Sequence, residues 1–187
     1  MGPSQSDRPA LYYAELAQED VAALPDFTCG DDEWDRYLND FLKEDALVQA
    51  AARFNKTYTS YDDSGQLVAY AALSASEVRN QTARASPLLT DAPYQRIPAL
   101  LIGRLAVDER HQGSGFGSAI LGWIEKTATL LPIGCRFLAL HVDERNDAAT
   151  RFYVGYGFFR PPHIEVRDHL QLMLYDLKPS EEANTPA

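Results

Sequence analysis

The sequence predicts a mixed α/β fold built around one sheet. Runs of β-prone residues alternate with segments of helical periodicity along the whole chain, and no repeat divides it. The 187 residues suffice for one domain with a sizeable core, and hydrophobic and aromatic fractions of 45% and 11% are typical of globular proteins. We therefore expect a single domain over residues 10–177 between two loose polar tails, residues 1–9 and 178–187.

The N-terminal half predicts a strand, two helices and a hairpin. Ala10–Leu16 is β-prone, and Gln18–Leu24 suggests a short helix. Asp31–Ala50 predicts a longer helix, because acidic residues fill its first turn, where the helix dipole favours anions. An Asp-Asp-Ser-Gly turn between Lys56–Tyr61 and Gln66–Ser74 is typical of a β-hairpin. The longer helix also carries an apolar stripe at helical spacing, made of Trp34, Tyr37, Leu38, Phe41 and Leu42.

The C-terminal half alternates strands and helices after a proline-containing loop over Asn80–Arg96. Pro132 and Gly157 end the two predicted helices, since proline cannot continue a helix and glycine adopts the conformation that follows its last turn. The predicted elements are, in order, strand Ala99–Val107, helix Gly115–Leu131, strand Phe137–Val142, helix Asp147–Tyr156 and strand Leu170–Leu177.

The composition argues against a membrane, secreted or metal-binding protein. No apolar run reaches the roughly 18 residues of a membrane span, and no signal peptide opens the chain. Cys29 and Cys135 are too few for a disulfide framework, so we expect free thiols in a reducing cytoplasm. The histidines and cysteines form no recognisable ligand spacing, and we predict no metal.

The net charge of −10 is concentrated near the N-terminus. Residues 1–45 contain 12 acidic and 3 basic side chains, whereas residues 46–187 contain 15 and 14. Such a chain repels nucleic acid unless a basic patch overrides the field. The acidic segment would attract a cationic acceptor, or it is simply a solvated face.

The first motif that carries chemistry is a glycine-rich loop between a predicted strand and a predicted helix. Its glycines allow a tight turn, and the amides of residues 112–117 would converge on an anion at the helix N-terminus. A P-loop is excluded because no Lys-Ser or Lys-Thr pair follows, and a dinucleotide fingerprint because the third glycine comes one residue early. A plain strand-to-helix turn stays open at this point. The loop reads Arg110-His111-Gln112-Gly113-Ser114-Gly115-Phe116-Gly117.

The second motif is a short helix that carries Tyr153. Taken alone, this tyrosine is an ordinary core aromatic. Taken with the glycine loop, it resembles the GCN5-related N-acetyltransferase (GNAT) superfamily in the order and spacing of both motifs. The matching residues are Arg110-x-x-Gly113-x-Gly115 and Asn146-x-x-Ala149-x-x-Phe152-Tyr153-x-x-x-Gly157-Phe158.

The resemblance implies a mostly antiparallel sheet, flanked by helices on both faces, with a splayed central strand pair. It also implies an acetyl-CoA site. Tyr153 would be the general acid that protonates the departing thiolate, since a phenol with a pKa of roughly 10 is protonated at neutral pH. Asn146 would lie near the cofactor arm, and Phe152 would pack beside it. Backbone groups of Leu105, Ala106 and Val107 would pair with pantetheine, and the pyrophosphate would bind the amides of Gln112, Gly113, Ser114, Gly115, Phe116 and Gly117.

The resemblance implies a primary amine as acceptor, which attacks the thioester directly and without a metal, and the acidic N-terminal segment favours a cationic small molecule or peptide. Many GNAT enzymes carry a glutamate on the strand before the glycine loop, where this chain has Arg104. His141 and Glu144 are candidate bases, although each is also interpretable as an ordinary packed or surface residue. A homodimer is common in the family.

A closer resemblance links Phe27-Thr28-Cys29-Gly30 and Gly103-Arg104-Leu105-Ala106-Val107 to GNAT toxins, which acetylate aminoacyl-tRNA and are neutralised by an antitoxin. The missing strand carboxylate fits this alternative, because an aminoacyl ester has an amine of low pKa. The acidic charge argues against it, and we prefer the general amine. A non-catalytic acetyl-CoA-binding module is a further alternative, which Tyr153 and the intact loop speak against. Binding of tRNA would need a local basic patch, for which the candidates are Arg79, Arg84, Arg96, Arg104 and Arg110.

Overall fold

The computed structural model describes residues 11–18, 24, 26–79, 94–161 and 168–177. Both predicted tails and most of the predicted loop over Asn80–Arg96 lie outside the described residues. So does the predicted helix over Gln18–Leu24, apart from its two end residues.

Six strands form one hydrogen-bonded sheet in chain order, which confirms the predicted fold class. The β1–β2, β2–β3 and β5–β6 pairs are antiparallel, whereas β4 and β5 are parallel. The parallel register runs from Ala99–Phe137 to Leu101–Ala139, and Leu105–Val107 lies beyond it. The strands are β1 (Tyr12–Glu15), β2 (Lys56–Tyr61), β3 (Leu67–Arg79), β4 (Arg96–Val107), β5 (Phe137–Asp143) and β6 (Leu170–Asp176).

The long predicted helix is interrupted by a π-helical turn. It runs as α1 (Glu33–Asp40), the π-helical turn (Phe41–Asp45) and α2 (Ala46–Ala51). The Ala46 amide donates to the carbonyl of Phe41, five residues back, so one extra residue is accommodated in this turn. The predicted apolar stripe is therefore only partly correct. Phe41 and Leu42 are buried, whereas Tyr37 is 58% exposed.

Two further helices follow the central strands. Helix α3 (Phe116–Leu130) begins after the glycine loop, and α4 (Asp147–Tyr156) follows β5. Gly157 ends α4 with a φ of +121°, a conformation that favours glycine. A Cβ atom at Gly157 would lie 3.2 Å from the Tyr175 ring, so close packing also requires the small residue.

The described residues divide into two compact units, and the single domain predicted over residues 10–177 stays a prediction. The first unit comprises the described residues up to Ser74 together with Ile102–Ile124. At the centre of its core lies Tyr70, whose ring contacts Phe27 and Phe41 at centroid distances of 5.6 and 6.1 Å and whose hydroxyl donates to the Leu38 carbonyl at 2.7 Å. Other members of this core are Leu16, Leu24, Leu42, Ala46, Leu67, Ala72 and Ala106.

The second unit comprises the described residues of Ala75–Leu101 and those from Glu125 onward. Arg136, which precedes β5, is joined to the end of β6, because its guanidinium donates two hydrogen bonds to the Asp176 carboxylate, at 2.7 and 2.8 Å. The buried core of this unit consists of Val78, Ile97, Ala99, Phe137, Ala139 and Leu174.

Replacing Gly155, inside α4, by alanine should raise the free energy of unfolding by about 0.5–1 kcal/mol, since alanine is the better helix former. A Cβ atom at Gly155 meets nothing within 4 Å, so no clash offsets the gain. Urea denaturation measures the change. The matched variant Gly157→Ala should destabilise instead, because of its positive φ and the nearby Tyr175 ring. A Gly155→Ala protein less stable than wild type would contradict this account of α4.

Candidate active site

The glycine loop joins β4 to α3. A short 3-10 turn (Glu109–His111) follows β4, and α3 then begins at Phe116. Gly113 and Gly115 have φ values of +74° and +86°, a conformation in which residues other than glycine are strained. The amide of Ala119 is bonded to the carbonyl of Gly115 at 3.0 Å. Because an α-helix leaves its first four N–H groups without a partner inside the helix, the amides around the start of α3 are donors for an anion.

Buried Asp108 fixes the start of this loop. Its side chain is fully buried and accepts from the Arg110 amide at 3.0 Å and from the Arg110 guanidinium at 2.7 and 2.8 Å. It also accepts from the Thr28 amide at 3.4 Å, while its own amide donates to the Val68 carbonyl at 2.9 Å. Arg110 is thus engaged within the protein, and the loop offers neutral amides rather than a guanidinium to an anion.

The hydrogen bonds to Asp108 hold its pKa below the usual range. Burial by itself raises the pKa of this carboxyl. The hydrogen bonds from the Arg110 guanidinium, the Arg110 amide and the Thr28 amide favour the ionised form and outweigh burial. Asp108 is therefore an anion at neutral pH.

Gln112 fixes the next position of the loop. Its side-chain amide donates to the carbonyls of Cys29 and Val107, at 2.7 and 3.1 Å. The loop is thereby tied both to the segment before α1 and to the end of β4.

Cys29 is buried and Cys135 is partly buried, and both are free thiols as predicted.

The predicted pantetheine-binding residues lie at the end of β4. Ala106 is buried in the core of the first unit, whereas Leu105 and Val107 are partly exposed, as expected from the alternation of side chains along a strand. Leu105–Val107 also lies beyond the parallel register with β5. This part of β4 can therefore offer backbone groups to an extended ligand.

In the second unit, helix α4 carries the predicted residues Asn146, Phe152 and Tyr153. Asn146 caps the helix, because its side-chain oxygen accepts from the Ala149 amide at 2.9 Å. Tyr153 is half-buried, with its ring against Phe152 and Phe158 at centroid distances of 5.2 and 5.5 Å. Burial raises the pKa of Tyr153 to about 12. The hydroxyl is thus protonated over the physiological pH range and can act as an acid.

An aromatic cluster anchored by Glu125 packs behind Tyr153. The two carboxylate oxygens of Glu125 accept from the hydroxyls of Tyr156 and Tyr175, at 3.0 and 2.9 Å. The rings of Tyr156 and Tyr175 contact Phe158, which in turn contacts Tyr153. Tyr156 is therefore held by the protein, whereas the Tyr153 hydroxyl has no hydrogen-bond partner among the described residues.

The sequence-based predictions missed a hydrogen-bonding device that both motifs share at their start. The tetrapeptide Val-Asp-Glu-Arg occurs where β4 ends, at residues 107–110, and again where β5 ends, at residues 142–145. Like Asp108, Asp143 accepts from the amide and the guanidinium of the arginine two residues on, at 2.7–2.9 Å. The amides of His111 and Asn146 donate to the carbonyls of these two aspartates, both at 2.9 Å. The repeated tetrapeptide was the signal that could have revealed this device.

The candidate bases are both in the second unit. His141 lies on β5 opposite Leu172, and burial lowers its pKa, which leaves it neutral at pH 7. The Glu144 carboxylate lies 3.0 Å from His169 Nδ1, and both side chains are substantially exposed. Neither observation assigns one of them as the base, so both stay predictions.

Strand β4 carries Arg104 and no carboxylate. The Arg104 guanidinium lies 4.9 Å from the ring centroid of Tyr37 and 4.4 Å from that of Phe41, and donates to the Tyr37 hydroxyl. Two other members of the predicted basic patch are neutralised, because Arg96 pairs with Glu77 and Arg110 with Asp108. Arg84 lies outside the described residues.

No helix among the described residues is long and apolar enough to cross a membrane. No group of three or more His, Cys, Asp or Glu side chains in residues 11–18, 24, 26–79, 94–161 and 168–177 could hold a metal ion.

Comparison with known proteins identifies the family. The model of the Acetyltransferase (GNAT) family matches residues 22–158, which include the glycine loop and α4. The chain belongs to the GNAT family. It is therefore an acyltransferase that uses acetyl-CoA, which confirms the predicted family, enzyme class and cosubstrate.

This GNAT chain is similar to toxins of the same family. It is 30% identical over 169 residues to the tRNA-acetylating toxin of Mycobacterium tuberculosis, covering 87% of this chain and 92% of that protein. The structure of AtaT complexed with acetyl-methionyl-tRNAfMet has a TM-score of 0.73 at 22% identity, over 89% of this chain and 95% of the other. The structure of AtaTR bound with AcCoA has a TM-score of 0.68 at 23% identity, over 89% of this chain and 94% of the other. These two structures share the fold.

Replacing Asp108 by asparagine should lower the free energy of unfolding by about 2 kcal/mol at pH 7, because charge-assisted hydrogen bonds are lost in a buried site. The folded-state pKa lies below the unfolded value, so this contribution is complete above about pH 4 and is lost as the pH falls through the folded pKa. The gap between wild type and variant should therefore narrow in acid, as measured by urea denaturation at several pH values. The exposed Asp63→Asn is the matched control, and an equal loss in both variants would refute the special role of Asp108.

Proposed function

We propose that this enzyme transfers the acetyl group of acetyl-CoA to the α-amino group of an aminoacyl-tRNA and is the toxin of a toxin–antitoxin pair. The observation that carries the proposal is the 30% identity to a tRNA-acetylating toxin over most of both chains. The sequence alone favoured a small amine or peptide as acceptor. The relatives support the tRNA alternative better than that first preference.

The absence of a carboxylate from β4 supports this acceptor. An α-amino group has an ordinary pKa of about 8, against about 10.4 for an alkylamine such as that of lysine. A larger share of the α-amine is therefore neutral at pH 7 and ready to attack the thioester without a strong base. Its proton can pass to solvent or to a weak base such as neutral His141.

The glycine loop suits the pyrophosphate of acetyl-CoA. We assign the amides of Gly113–Gly117 to the pyrophosphate, since they lie around a helix start and at glycines with positive φ, whereas the predicted Gln112 amide already donates to the Glu109 carbonyl at 3.4 Å. Leu105–Val107 would pair with the pantetheine amides through backbone groups left beyond the register with β5. Phe152 would pack against the arm, and Asn146 would hold the start of α4 near it. Acetyl-CoA supplies the reactive thioester carbonyl.

Tyr153 would complete the transfer as general acid. As the amine nitrogen forms its bond to the acetyl carbon, the carbon–sulfur bond breaks and the Tyr153 hydroxyl gives its proton to the sulfur. The phenolate then regains a proton from solvent. With its pKa raised to about 12, Tyr153 is protonated before each turnover.

Partners follow from the same proposal. A chain that acetylates aminoacyl-tRNA would need an antitoxin to hold it inactive. A homodimer, common in the family, stays a prediction.

The proposed acceptor is tested by following thiol release from acetyl-CoA with alternative amines. Aminoacyl-tRNA should support turnover, whereas deacylated tRNA, which lacks the amine, should not. Free amino acids, short peptides and polyamines are tested in parallel, because they represent the small-amine or peptide acceptor that the sequence alone favoured. Turnover with a polyamine or peptide and none with aminoacyl-tRNA would overturn the proposal.

Replacing Tyr153 by phenylalanine should lower kcat about 100-fold, because the departing thiolate loses its proton donor. The dissociation constant for acetyl-CoA, measured by calorimetry, should stay the same. The matched control is Tyr156→Phe, in the same helix, whose hydroxyl is bonded to Glu125 and which should keep most of the activity. Wild-type kcat should also show no loss from phenol ionisation between about pH 7 and 10. An unchanged kcat in Tyr153→Phe would remove this residue from the acid role.

A further inference from the structure

Arg104 is held rigidly on the first unit. It lies on β4 two residues before buried Ala106, on the same face of the strand. Its guanidinium stacks over the rings of Phe41 and Tyr37 and donates to the Tyr37 hydroxyl, with a further hydrogen bond to the Gly103 carbonyl at 3.4 Å. Two rings and two acceptors thus fix the plane of this guanidinium, which is the preorganisation that anion recognition requires.

Arg104 also lacks an acidic partner. Among the described residues, no carboxylate lies within ion-pair distance of it, and its Nε–H is buried without an acceptor. A buried donor left without a partner is costly, and such a group in a folded protein calls for an explanation. By contrast, carboxylates pair with Arg96, Arg110, Arg136 and Arg145.

The terminal nitrogens of Arg104, unlike its buried Nε, are accessible to a ligand. The residue is only partly buried, and its neighbour Tyr37 is 58% exposed. The guanidinium fork matches phosphate and carboxylate oxygens in geometry, and it stays charged at every physiological pH. This arrangement points to an anionic oxygen on a substrate.

We propose that Arg104, braced by Tyr37 and Phe41, is a phosphate subsite that binds the 3′ end of the acceptor RNA. The inference rests on the proposed function. In an aminoacyl-tRNA the α-carboxyl is esterified and carries no charge, so the anion nearest to the reacting amine is the phosphodiester that precedes the terminal nucleoside. Arg104 would hold this phosphate, and the enzyme would thereby distinguish an aminoacyl-tRNA from a free amine.

The test compares two acceptors that differ in phosphate. Aminoacyl-tRNA carries the phosphodiester, whereas puromycin presents an α-amine on a nucleoside without any phosphate. In Arg104→Gln, the KM for aminoacyl-tRNA should rise at least about 10-fold with kcat little changed. The KM for puromycin should stay within about twofold of wild type, since the lost contact is worth a factor of ten only where a phosphate is present. The salt dependence of the KM for tRNA should also weaken, because one phosphate contact is lost.

Two further variants sharpen the comparison. Arg104→Lys keeps the charge without the planar fork, and its KM for aminoacyl-tRNA should lie between those of wild type and Arg104→Gln. Lys43→Gln removes an exposed positive charge from the π-helical turn and should change neither KM. Activity with puromycin shows that each variant is folded.

The possible outcomes separate the two proposals. If Arg104→Gln raises the KM equally for both acceptors, or raises it for neither, the phosphate subsite is overturned while acetylation of aminoacyl-tRNA stays in place. A wild-type protein that binds acetyl-CoA by calorimetry yet acetylates neither acceptor would overturn the proposed function, and the subsite with it.

Discussion

The charge of a buried carboxylate is the constraint on which the first motif depends. A carboxylate out of contact with water must be hydrogen-bonded, or its burial costs several kcal/mol. Asp108 meets this demand with donors from the segment before α1 and from the residue two positions ahead. These hydrogen bonds therefore hold the chain as it leaves β4. It continues through Gln112 into the two glycines with positive φ and then into α3.

The second motif uses the same constraint at a less buried site. The Asp143 side chain is 11% exposed, and it pairs with Arg145 as Asp108 pairs with Arg110. The turn that follows places Asn146 as the cap of α4, and Glu125 fixes the aromatic residues behind Tyr153. Both motifs thus present neutral groups, amides in one and a phenol in the other. Their charged residues are used internally to hold the backbone, which suits a reaction in which a neutral amine attacks a thioester.

The sequence predicted the elements best where turn residues mark both ends. Lys56–Tyr61 and Asp147–Tyr156 have their predicted bounds, since an Asp-Asp-Ser-Gly turn and Gly157 delimit them. Strand β4 begins earlier than predicted, at Arg96, in spite of Pro98. Pro98 has no N–H to donate, but its carbonyl still accepts from the Arg136 amide at 2.9 Å.

Site features that depend on tertiary contacts were beyond sequence reasoning. The motifs pointed to the family, the cosubstrate and the candidate acid, because these are local patterns. The role of Glu125 could not be read from sequence, since its tyrosine partners are 31 and 50 residues away. Net charge favoured a small amine or peptide as acceptor, whereas the relatives support aminoacyl-tRNA better. Net charge is summed over the chain and says nothing of a single arginine held over two aromatic rings.

The π-helical turn makes the helix before β2 sensitive to chain length. An α-helix turns by about 100° per residue, so the extra residue within Phe41–Asp45 sets the rotational phase between α1 and α2. Without that residue, Tyr37 and Phe41 could not face Arg104 while Ala46 stays buried on the core. A one-residue deletion here would therefore rotate α1 by about 100° relative to α2. Every side chain of α1 would be kept, but each would point in a different direction.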